Sequence, residues 1–152
     1  MKVLLVEDNA FAQEIMRTIL RHIGVGEVQI CDDGAKALAR VAAERFDLLI
    51  VDWRLPSMNG MALTQGVRSL SDPARAATTI IMVTAHADTQ HVVQARQAGV
   101  DAFLVKPTSI QAVRDRITGL IESGRLKPSR PVPVPGGNDG ITPTGVADGR
   151  TP

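Results

Sequence analysis

Three carboxylates, a hydroxyl and an amine each follow directly on a short apolar run: Glu7 and Asp8 after residues 3–6, Asp52 after 48–51, Thr84 after 80–83 and Lys106 after 102–105. Carboxylates brought together repel one another and resist ionising unless positive charge holds them. A hard divalent cation removes that conflict. Mg²⁺ suits the task because it takes one or two carboxylates, keeps several waters and accepts a phosphate oxygen. Lys106 adds a further positive charge and Thr84 a hydrogen-bond donor, so the set suits a phosphoryl group. In such a site an aspartate acts as a nucleophile toward phosphorus and becomes an aspartyl phosphate. The cation and the ammonium then neutralise charge on the group in transit.

For those side chains to meet, the runs that carry them must lie side by side and point the same way. Residues 3–6, 28–31, 48–51, 80–83 and 102–105 are short apolar runs, and each gap between them is long enough for a helix. This alternation predicts (βα)5. "LLIV" at 48–51 has no polar face and reads as a strand covered on both sides. In a doubly wound parallel sheet the carboxyl ends of the strands share one edge, and ligands collect there where the winding order switches. The acids converge if the first and third strands are neighbours.

Helical period and punctuation fill the gaps. Phe11, Ile15 and Ile19 fall four apart on one predicted face, with Gly24 as a stop. After Asp33, the residues Ala35, Leu38, Ala42 and Phe46 share a stripe. A third helix follows Asn59 and Gly60, with Gly66 weakening its middle. A fourth runs from about Asp88 to Gly99. The fifth is predicted to begin at Pro107 and Thr108, with Gln111 closing a capping box on Thr108, and to bury Ile110, Val113, Ile117, Leu120 and Ile121.

Composition sets the outer bounds. A chain of 152 residues, 44% hydrophobic and 22% charged, suits one globular unit with a sizeable core. Aromatics at 3% with no Tyr argue against a stacking platform for nucleic acid, and a formal charge of +1 steers no polyanion. Cys31 is the lone cysteine, cannot form an internal disulfide, and reads as a buried thiol. No apolar stretch approaches the ~20 residues needed to span a bilayer. The run after Lys2 is too brief for a signal-peptide core. A cytoplasmic protein without membrane contact is the expectation. From Gly124 onward the chain holds six of the nine prolines and six of the thirteen glycines, which predicts a folded unit over 1–123 and a flexible tail over 124–152. His22 and His91 have no partners at metal-ligand spacing and are assigned to helix surfaces.

"VLLVEDN", "DLLIVDWRLPSMNG", "IIMVTAH" and "DAFLVKP" together resemble, in order and spacing, the receiver domain of two-component response regulators over about residues 1 to 122. The resemblance implies a flavodoxin-like sheet with strand order 2-1-3-4-5, as in a stand-alone chemotaxis-type receiver. It implies a phosphoacceptor at Asp52, Mg²⁺ held by Asp8 and Asp52, by Glu7 through water and by the backbone carbonyl of Arg54. It further implies phosphate contacts from Thr84 and Lys106, a cis peptide before Pro107, and a switch formed by Thr84 and Phe103. Phe103 stands where the family often has Tyr, so any switching must work through burial alone. Arg54 and His86 occupy places that tune how long the phosphoryl group lasts. The implied partners are a histidine kinase or histidine phosphotransfer protein as donor, and a downstream protein that reads the fourth helix, fifth strand and fifth helix. No direct DNA binding is expected, and the chain is expected to be a monomer or weak dimer.

Each residue also has a plainer reading. Glu7 and Asp8 are ordinary helix N-terminal acids if taken alone, and Lys106 an ordinary solvated lysine; the constellation argues otherwise. Trp53, the only tryptophan, packs on a loop by default and is a reporter of Asp52 by position. Two other function classes compete. An aspartate-nucleophile phosphohydrolase wants a second Asp two positions after the nucleophile, where Arg54 stands. A phosphorylation-independent pseudo-receiver has no need of the intact acidic set.

Overall fold

The computed structural model describes residues 1–86 and 88–128. Five strands, β1 (Lys2–Val6), β2 (Glu27–Cys31), β3 (Leu48–Asp52), β4 (Thr79–Thr84) and β5 (Ala102–Val105), form one parallel sheet in the order β2-β1-β3-β4-β5. Between and after them lie α1 (Ala10–His22), α2 (Gly34–Ala43), α3 (Gly60–Arg68), the single turn α4 (Pro73–Ala76), α5 (Thr89–Ala98) and α6 (Ile110–Glu122). This is the expected flavodoxin-like α/β fold and strand order.

Alternation along each strand sends successive side chains to opposite faces, and both faces are roofed. Val3, Leu5, Ile50 and Ile81 pack with Met16, Ile19 and Leu20 of α1 and with Val113, Ile117 and Leu120 of α6. Leu4, Val6, Leu49, Val51, Ile80 and Met82 pack on the other side with Ala37 and Val41 of α2, Leu63 and Val67 of α3, and Ala95 of α5. Every residue of β3 and β4 is buried, which is why these strands read as unbroken apolar runs. Full burial of such a side chain contributes ~1.5–3 kcal/mol, so two covered faces hold the sheet rigid beneath the site.

Helix starts follow local chemistry. Asn9, Asp33, Asn59, Asp88 and Ser109 each sit in extended backbone and accept a hydrogen bond from the N–H three residues on, which satisfies an orphan donor of the first turn. Several expectations need correction here. The fifth predicted helix is capped by Ser109, not Thr108, because the Ser109 hydroxyl accepts from Ala112 N while Gln111 donates to Asp115 instead. The second helix buries Gly34, Ala37 and Val41 and leaves Ala35 and Ala42 exposed; alanine carries too little apolar surface to fix a helix's rotation. On α1 the buried stripe is Met16, Ile19 and Leu20, while Phe11 is 75% and Ile15 41% exposed. Gly66 has a packing reason: a Cβ there would sit 2.9 Å from Leu38 Cδ2, so the glycine lets α3 approach α2.

Leu126, three residues inside the expected tail, is 1% exposed and belongs to the α1/α6 core. The packed chain therefore reaches past residue 123, with Thr79 Oγ1 donating to Arg125 O at 2.6 Å. The remainder of the expected tail, from residue 129 onward, lies outside the described residues.

Candidate functional site

Register brings the strand-end residues together. Val6 pairs with Val51 and Asp52 with Val83, so Glu7 emerges beside Asp52, and Thr84 follows Val83 on the next strand. Thr84 in turn pairs with Val105, and Lys106 comes next. The structure thus gathers Glu7, Asp8, Asp52, Thr84 and Lys106 at one edge, as the sequence predicted.

A carboxylate oxygen from each of Glu7, Asp8 and Asp52 lies within 4.8 Å of the others. Glu7 and Asp52 are buried and Asp8 is exposed, with Asp52 only 9% accessible. Lys106 Nζ reaches both buried acids, at 3.2 Å to Glu7 Oε1 and 3.2 Å to Asp52 Oδ1. Burial pushes the Glu7 carboxyl above its ordinary value; the Asn9 N–H opposes this, the Asp52 charge adds to it and Lys106 resists it. For Lys106, partial burial acts to lower the ammonium's pKa, but the bonds and charges of Asp52 and then Glu7 outweigh it and the net shift is upward. One ammonium therefore does not balance three acids.

The β3–α3 loop follows Asp52 and is held by backbone bonds. Trp53 N–H donates to Val83 O at 2.9 Å and Gly60 N–H to Trp53 O at 2.8 Å. Among the described residues the Arg54 carbonyl accepts no hydrogen bond. Carboxylate oxygens plus an unengaged backbone carbonyl are hard oxygen donors of the kind Mg²⁺ takes, so the residues present fit that cation. Gly60 is required by crowding, since a Cβ there would lie 2.7 Å from Asp52 O.

Asp52 is reached from two sides. One cleft of about 360 Å³ is lined by Glu7, Asp52 and Lys106 together with apolar Ala12, Ile15 and Pro107. A second of about 200 Å³ lies among Asp52, Arg54, Thr84, His86, His91 and Lys106. Arg54 and His86 do border the pocket. The peptide bond between Lys106 and Pro107 is cis.

Two side chains make contacts that spacing alone does not specify. Thr84 is 4% exposed and its hydroxyl donates to His86 O and accepts from His86 N–H, both at 3.0 Å, so here it holds the β4–α5 loop. His91, assigned to a helix surface, lines the second pocket: its Nδ1 lies 2.6 Å from Asp88 Oδ2, and its ring meets Trp53 edge-on with centroids 5.0 Å apart. The signal was present in the sequence, because Asp88 and His91 are three apart at a helix start and so share a face. Phe103 is partly buried against the α2/α3/α5 core.

The family model for the response regulator receiver domain matches residues 3–118. The chain belongs to the receiver domain family. This receiver is 34% identical over 122 residues to the chemotaxis protein CheY of Pseudomonas aeruginosa, covering 80% of this chain and 97% of that one. It is 31% identical to chemotaxis protein CheY-3 of Vibrio cholerae, covering 80% and 92%. Among solved structures, it resembles the receiver domain of a sensor histidine kinase from Pseudomonas aeruginosa, crystallised with a magnesium ion coordinated in its active-site cleft. That match has a TM-score of 0.71 at 28% identity, over 80% of this chain and 97% of the other. Vibrio cholerae CheY4 gives a TM-score of 0.70 at 28% identity, over 78% and 96%. The receiver thus falls within two-component signalling. No helix among the described residues is long and apolar enough to cross a membrane.

Proposed function

We propose that this receiver accepts a phosphoryl group on Asp52 and passes the event to a partner protein as a change of conformation. The observation that carries the reading is the meeting of Glu7, Asp8 and Asp52 within 4.8 Å, with Lys106 on both buried acids. A phosphohistidine of a histidine kinase or phosphotransfer protein is the donor. An Asp52 carboxylate oxygen attacks phosphorus, the new P–O bond forms as the P–N bond breaks, and the imidazole departs with its electron pair. Mg²⁺, when bound, neutralises charge on the phosphoryl oxygens. Asp8 and Asp52 would hold that ion directly, Glu7 through water and Arg54 through its carbonyl.

Lys106 Nζ, already 3.2 Å from Asp52 Oδ1, moves little to meet a phosphoryl oxygen. Thr84 must give up its bonds to His86 to do the same, so phosphorylation pulls on the β4–α5 loop. That coupling, with Phe103 shifting in burial, is the switch. Arg54 and His86 at the pocket rim set the phosphoryl lifetime. Exposed Ile15, which lines the apolar cleft, and exposed Phe11 on the same helix favour a protein donor. Val93 of α5 and Val105 of β5 are 47% and 49% exposed and favour the α5-β5-α6 face as the output surface.

Beryllofluoride with Mg²⁺, a mimic of the acyl phosphate, tests the reading. Trp53 emission is expected to change on its addition and to stay constant in Asp52→Asn. Silence of the unsubstituted protein, or an equal response of the variant, favours the pseudo-receiver instead.

A further inference from the structure

The loop that carries the Arg54 carbonyl is fastened at its tip as well as at its ends. Ser57 Oγ lies 2.9 Å from both carboxylate oxygens of Asp33, the residue that caps α2. Ser57 has φ 60°, the left-handed region that a non-glycine residue occupies only when its surroundings hold it there. Gly34 N–H donates to Pro56 O at 3.4 Å, and a Cβ on Gly34 would stand 2.1 Å from Met58 O, so the loop rests directly on the start of α2. Asp33 is itself fixed, because its Oδ1 accepts from Lys36 N–H at 3.0 Å. That bond first, and the Ser57 hydroxyl second, keep its carboxyl below the usual range and so in the accepting form.

We propose that Ser57 and Asp33 are positioning residues for the cation site: their hydrogen bonds fix the loop that presents the Arg54 carbonyl, and through it the affinity for a divalent cation. Neither residue touches the cation. The inference rests on the Mg²⁺ site proposed above. Between Trp53 and Gly60 the loop is closed by Gly60 N–H to Trp53 O at 2.8 Å and Met58 N–H to Pro56 O at 2.6 Å, and the Ser57–Asp33 bonds tie that closed turn to the start of α2. Groups that orient metal ligands typically change affinity by 10–100-fold when removed. A clamp acting on one ligand of several belongs at the low end.

Isothermal calorimetry of the full chain with MgCl2 is the test. Ser57→Ala keeps the backbone demand but removes the hydroxyl, and is expected to weaken Mg²⁺ binding about tenfold. Ser57→Asn retains a donor and tolerates positive φ, and is expected to restore affinity near that of the unsubstituted chain. In an Asp33→Ala background, Ser57→Ala is expected to add nothing further. The proposal is overturned by unchanged affinity in Ser57→Ala, by equal loss in Ser57→Asn, or by an undiminished effect without Asp33. If Asp33→Ala fails to fold for want of its helix cap, the Ala and Asn substitutions at Ser57 decide alone. Mg²⁺ binding by the unsubstituted chain that Ser57→Ala leaves intact defeats the clamp and spares the site. No Mg²⁺ binding by the unsubstituted chain defeats both.

Discussion

The two edges of the same sheet treat charge in opposite ways. At the amino-terminal edge Arg68 donates to Gly99 O at 3.1 and 2.7 Å, to Ala76 O and Thr78 O at 2.7 Å each, and to Asp101 Oδ2 at 3.0 Å. Asp101 Oδ2 also accepts from Ile80 N–H at 2.8 Å. One cation thus ties α3, α4, α5 and the starts of β4 and β5 together with its charge answered. At the carboxyl edge three acids face one ammonium, and Glu7 is pushed away from ionisation, chiefly by burial. The first edge is built for stability. The second keeps three acids beside a single ammonium, an imbalance of the kind functional sites commonly carry.

Breaking the amino edge should have the largest effect. Arg68→Ala strips partners from three carbonyls and from Asp101, and is expected to lower unfolding free energy by about 3 kcal/mol, the pair being roughly a quarter exposed. Denaturant melts would show it. Leu126→Ala removes a buried side chain where the C-terminal segment closes over the same edge, and is expected to cost about 2–3 kcal/mol by the same measurement. A negligible cost would mean that the packed unit does end at residue 123.

The carboxyl edge should respond with the opposite sign. Because the Glu7 pKa is raised in the folded chain, chiefly by burial, ionising it weakens the fold as pH rises from the ordinary 4.5 through the folded value. Glu7→Gln mimics the neutral form. It is expected to stabilise the cation-free protein at pH above the folded Glu7 pKa, a gain that disappears as pH falls below the ordinary glutamate range. A pH-independent gain would contradict the electrostatic account. The smallest effect belongs to His91→Ala, which should alter Trp53 emission through loss of the edge-on ring contact while changing stability by less than ~0.5 kcal/mol.

Most of the scaffold was legible because parallel strands buried on both faces leave unbroken apolar runs, and each of the five appears within a residue or so of where the sequence put it. The acidic cluster was legible for the same reason: each member directly follows such a run. What escaped depended on rotation and reach. Alanine-rich α2 gave no firm stripe, and His91 was judged by metal-ligand spacing rather than by the helix face it shares with Asp88. The turn α4 went unread although Asp72 and Pro73 form a cap and first helical residue, because four residues show no period. Thr84 was placed correctly, but its hydrogen bonds to His86 are set by loop closure, which spacing does not encode.

The most direct test is chemical. After incubation with Mg²⁺ and acetyl phosphate, intact-mass spectrometry should find one added phosphoryl group, removable by hydroxylamine as an acyl phosphate must be. Peptide mapping should place it on Asp52, and Asp52→Asn should acquire none. An unmodified protein, or a phosphoryl group that persists in the variant, would contradict the account.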